Sequence, residues 1–166
     1  YLAARGLPRA HVDTRGSASG FVDALAQAAP QADVVLLHAD AGDLARMFMR
    51  RAARPLLMGA DHPESIKHAY AACKLLAQRC GLMTFDLLLA AAPGSRRVPG
   101  IAASLASCAD GFLGAVLHDW AVVDPGASVG DTADGALDRL LAAQLALADD
   151  APLPAPRANA AALHAN

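Results

Sequence analysis

Cysteine, basic charge and long hydrophobic runs are all in short supply in this chain. The three cysteines, Cys73, Cys80 and Cys108, form no CxxC pair and match no zinc spacing, and their odd number argues against a disulfide framework. Buried thiols in a reducing compartment are the expectation. Fourteen Lys and Arg against sixteen Asp and Glu leave a formal net charge of -2, with the basic residues scattered, so no positive stripe offers itself to nucleic acid or to an acidic lipid surface. No apolar run approaches the roughly 20 residues a transmembrane helix needs. The start carries no signal-peptide pattern. It opens on Tyr1 instead of Met, which fits a processed chain or an excised piece. A cytoplasmic protein without a transmembrane segment is the expected class.

What is present is apolar: 55% of 166 residues, enough to bury a core without metals or disulfides. Short apolar runs alternate with longer periodic stretches, the pattern of repeated βα units, and this predicts an α/β fold with a mostly parallel sheet flanked by helices. One domain is expected over residues 1–148, followed by a flexible tail rich in Pro and Ala over 149–166.

The expected strands are Val34 to Leu37, Pro55 to Met58, Phe85 to Ala91 and Val116 to Val122, with Ala10 to Val12 as a short edge strand. Phe85 to Ala91 is a nearly continuous apolar run, the kind covered on both faces. Helices are expected from Ser17 or Ser19 through Ala29, over Asp43 to Arg51, from Pro63 to just before Gly81, through Ile101, Leu105 and Cys108, and from about Ala133 to Ala148.

The most informative segment is VVLLHADAGD, Val34 to Asp43. A strand here delivers His38, Asp40 and Gly42 to its carboxyl end, where open α/β sheets bind ligands, and the following helix N-terminus adds donors for an anion. His62, in GADHPES, reaches the same edge from the next strand. These four residues are the candidate cofactor-binding set. The competing reading is structural: Asp40 caps a helix and Gly42 makes a tight turn. No catalytic residue and no metal site are assigned. His118 and Asp119 are neighbours on a strand, which sends their side chains to opposite faces. No GxSxG elbow accompanies the serines. GSASG, Gly16 to Gly20, lacks the lysine of a phosphate loop, and nothing else in the chain supplies one.

Three stretches, ADVVLLHADAGDLARMF, RPLLMGADHPESIKHAYAACKLLAQRCG and IAASLASCADGFLGAVLHDWAVVDP, resemble the C-terminal two-thirds of the MinD/ParA-like P-loop ATPases, and within them the flagellar-number regulators called FlhG or FleN. The resemblance covers about Ala32 to Pro125 and implies an incomplete MinD-like topology, with ATP and magnesium as the family's cofactors. It further implies partners in the flagellar regulatory apparatus, with a homodimer compatible, and protein contacts through the helix from Ser65 to Arg79 and the segment from Phe112 to Trp120. Several family features are missing. His38 stands where the family's Walker B strand has Asp, with Ala41 and Gly42 in the matching Ala-Gly positions; Ala90, Ala91 and Ala92 replace its adenine-side Asn. The Walker A strand and loop are not in this chain. In the family fold that strand lies between the one ending at His38 and the one ending at Gly59. Its absence requires those two strands to close on each other, recruit a substitute, or pair across a dimer. A module binding partners, a piece of an ATPase whose phosphate loop lies upstream, and a small-molecule enzyme at the His38, Asp40 and His62 edge are the functional expectations.

Overall fold

Pro63 at the first helical turn and Gly81 just past the last one bracket the longest helix, α3 (Pro63–Cys80), and the placement follows from their chemistry. Proline's missing N–H is an orphan in the first turn anyway, while Gly81 takes the left-handed conformation (φ 69°) that ends a helix without a Cβ clash. The structure, a computed structural model, describes residues 9–128 and 135–150. Within them, α1 (Ser19–Ala28), α2 (Ala41–Met47), β1 (Leu56–Ala60), α3, β2 (Thr84–Ala90), α4 (Val98–Leu113), β3 (Val116–Val123) and α5 (Gly135–Asp150) follow in order.

The three strands form one parallel sheet, ordered β1-β2-β3, so an α/β fold with a parallel sheet flanked by helices is what the chain adopts. Phe85, Leu87 and Leu89, alternate residues of β2, point to one face and are buried with Ala69, Cys73 and Leu76 of α3 and Ala102, Leu105 and Ala109 of α4. Ala45 of α2 extends this core. The intervening Asp86 looks to the other face, where Gln144 of α5 donates to it and Leu140 is completely buried.

Four expectations need correcting. Val34 to Leu37 has no regular secondary structure and pairs with no strand among the described residues, and Leu36 is 91% exposed. An apolar run becomes a strand only when a neighbour takes its peptide groups, and β1 does not pair with this run. Arg9 to His11 forms a single 3-10 turn where an edge strand at Ala10 to Val12 was expected. The helix expected over Asp43 to Arg51 starts at Ala41 and stops at Met47, ahead of the left-handed Arg50 (φ 64°). Finally, α5 runs through Asp149 and Asp150, two residues of the expected tail; residues 151–166 lie outside the described residues. No helix of the described residues is long and apolar enough to cross a membrane.

Candidate functional site: the carboxyl edge and a buried carboxylate

Asp40 precedes α2 with extended backbone, and its Oδ1 accepts the Asp43 N–H at 2.9 Å. Gly42 leaves room for this, since a Cβ there would sit 3.1 Å from the same oxygen. His62 does the equivalent for α3, its Nδ1 accepting the Ser65 N–H at 3.2 Å. The Ser65 hydroxyl turns back to accept the Ala60 N–H at 2.8 Å, and Asp61 takes the Ser95 hydroxyl at 3.0 Å. The N-termini of α2 and α3 therefore each spend a donor on their own cap.

His38 is exposed, and no hydrogen bond or ion pair joins it to Asp40 or His62. His62 stands at the carboxyl edge of the sheet, just past β1, and no contact joins it to His38, Asp40 or Gly42, whose helix α2 meets the far end of α3 through the Cys80 thiol on the Ala45 carbonyl. Among the described residues no group of three His, Cys, Asp or Glu side chains could hold a metal ion. These residues do not fit a nucleotide with its magnesium. A carboxylate already fills the α2 N-terminus, where a phosphate would need open N–H donors, and no lysine stands beside it.

A second feature of the same edge is a cavity of about 860 Å³ between the loop after β2 and the first turns of α4 and α5. Pro93, Val98, Trp120, Val122 and Leu137 make its walls mainly apolar, and Arg139 reaches its rim. That arginine grips Asp119 with two nitrogens, Nε at 2.9 Å and a terminal nitrogen at 2.8 Å. The paired guanidinium, more than any other group, holds the Asp119 carboxyl below its ordinary value.

The polar centre that sequence reading missed is Asp86. It is fully buried, yet four groups surround it: His118 Nδ1 at 3.1 Å and the Asp119 N–H at 3.1 Å on Oδ1, Gln144 Nε2 at 2.6 Å and Arg54 Nε at 2.8 Å on Oδ2. The Arg54 Nε contact is an ion pair by distance while its N–H points off the hydrogen-bond line. Arg54 also donates to the Ala143 carbonyl, and Gln144 to the Arg54 carbonyl. The strand register slips between Phe85 and Asp86, so Asp86 pairs with Asp119 and His118 is the extra residue. The irregularity lets the His118 side chain and the Asp119 backbone N–H meet one carboxylate, while the Asp119 side chain goes to Arg139. A lone acidic residue inside an apolar run was the available signal.

Comparison with family models, with curated proteins and with solved structures finds no match to this chain.

The cysteines are free thiols. Burial pushes the Cys73 thiol up to about 11, leaving it inert at neutral pH. Cys80 is also raised by burial, with Arg79 pulling the other way.

Proposed function

We propose that this chain is a MinD/ParA-like module of the flagellar-number regulator type, acting in the cytoplasm through protein contacts and turning over no nucleotide by itself. One observation carries the second half of the reading: Asp40 and His62 already cap the N-termini of α2 and α3. The contact half is supported by an apolar patch at the opposite, amino-terminal end of the sheet. There Phe112 is 79% exposed, with Val116 and Met83 beside it joined by the Val116 N–H to Met83 carbonyl bond at 2.7 Å. Large apolar side chains grouped at one end of a fold are what a partner covers. The flagellar assignment itself follows from the sequence resemblance.

A second reading, that the chain is part of an ATP-binding ATPase with its phosphate loop elsewhere, draws on the 860 Å³ cavity at the carboxyl edge. Calorimetric titration with ATP and magnesium separates the two. No heat at millimolar nucleotide is the expected result, whereas micromolar binding would favour the ATPase reading.

A further inference from the structure

We infer that Asp86 and His118 form a carboxylate–imidazole dyad, in which buried Asp86 fixes the ring proton on Nδ1 and His118 Nε2 acts as the general base toward a hydroxyl group, of a small ligand or of water. This inference does not rest on the proposed function.

The tautomer follows from the company the carboxylate keeps. Asp86 Oδ1 accepts the Asp119 N–H at 3.1 Å, while Oδ2 accepts Gln144 Nε2 at 2.6 Å and lies 2.8 Å from Arg54 Nε. All three neighbours are donors or cations, so the carboxylate acts throughout as an acceptor. His118 Nδ1 stands 3.1 Å from Oδ1. A lone pair on Nδ1 would face a lone pair on the oxygen, so Nδ1 carries the hydrogen and a neutral ring keeps its free pair on Nε2.

The geometry gives that second nitrogen an outlet. Asp86 is completely buried, whereas 47% of the His118 side chain is exposed, so the ring bridges interior and solvent. With Nδ1 turned inward, Nε2 lies on the far side of the ring. The register slip opposite Asp86 makes His118 the extra residue of β3, and such irregularities re-aim side chains beside active sites. The carboxylate does not need the imidazole for its own sake: Arg54 balances its charge, and each oxygen has a donor without His118. What the contact adds is a fixed ring. Arg54 donates to the Ala143 carbonyl and Gln144 to the Arg54 carbonyl, so the groups that hold the carboxylate are themselves held, the layered support that an oriented base requires.

A hydroxyl placed on Nε2 gives that nitrogen its proton and keeps the bonding pair on oxygen, which becomes the nucleophile. The imidazolium so formed has Asp86 as its counter-charge. Asp119, the other acid beside it, is engaged by Arg139, and Arg54 is the nearest opposing cation on the carboxylate. Asp86 is therefore a positioning residue and His118 the base.

Nitrogen-15 NMR of the full chain, well above the ordinary imidazole range of pH, reads the tautomer. A pyrrole-like shift for His118 Nδ1 and a pyridine-like shift for Nε2 are expected, the reverse of a free imidazole's preference; the opposite assignment overturns the dyad. Asp86→Ala should return the ring to the free preference, and an Nδ1 proton retained without the carboxylate overturns the role of Asp86. Hydrolysis of p-nitrophenyl acetate reads the base: water loses a proton to Nε2, its oxygen bonds the acetyl carbon, and p-nitrophenolate leaves. His118→Gln keeps a donor for Asp86 and should lower that rate about tenfold, less than a base contributes on its own substrate. A rate equal to that of the wild type overturns the proposal. Should Asp86→Ala fail to fold, the wild-type nitrogen shifts and the His118→Gln rate decide.

Discussion

Stripping the carboxylate from Asp86 leaves the Arg54 guanidinium facing a buried site with no counter-charge, and takes an acceptor from Gln144 and from the Asp119 N–H. Breaking a buried pair from one side costs about 3–5 kcal/mol. That is a large share of the roughly 5–15 kcal/mol that holds a domain folded. Asp86→Ala is therefore expected to lower the urea midpoint steeply. Asp86→Asn keeps one oxygen acceptor but loses the charge and turns the other oxygen into an amide donor that faces donors, so its loss should be smaller than that of Asp86→Ala only by what the remaining oxygen holds. Asp119 sets a different expectation, read in pH. Its carboxyl sits below the ordinary 3.8 because Arg139 hydrogen-bonds the ionised form. The folded state thus holds on to the charge when the unfolded chain has begun to take up a proton. The pairing contributes in full above pH 3.8 and fades as the pH falls further, through the folded value. In acid titrations followed by circular dichroism, Asp119→Asn should show a shallower loss of stability below that point than the wild type.

Among the elements, α3 shows how a helix end is held. Nothing lies within 4 Å of a Cβ placed on Gly81, so substitution there is opposed by backbone conformation alone. Gly81→Ala should cost about 1–2 kcal/mol, the penalty of a left-handed residue bearing a Cβ, measurable as a drop in melting temperature without change in the native spectrum. The same helix was legible in the sequence from Pro63 to Gly81 because its stop and start signals are local. β2 was legible because a run from Phe85 to Ala91 admits little else. Val34 to Leu37 misled for the complementary reason: its composition is that of a strand, but strand formation requires a neighbour that no local pattern reports. Of the expected site residues, Asp40 and His62 turned out to cap helices, an alternative that Asp40 and Gly42 already announced by type and spacing. Asp86 stayed hidden because its partners lie far off in the chain. Arg54, His118 and Gln144 come together only when the sheet and α5 are both in place.

Across the whole molecule, one face of the sheet is sealed by apolar packing and the other by a charge network plus Leu140. The helices α2, α3 and α4 cover the first face through Ala45, Cys73, Leu76 and Leu105. Among the described residues the second is covered by α5, and its ties reach back along the chain: Arg54 donates to the Ala143 carbonyl 89 residues later, and Gln144 to the Arg54 carbonyl 90 residues earlier. A ribosome makes all three strands before it makes α5. During that interval the β2 carboxylate has no Gln144 to bond and no helix to shield it from water, so the emerging sheet stays open on one side. Native closure waits for α5 to leave the exit tunnel, so the emergence of that helix is the step that commits the earlier strands to their places.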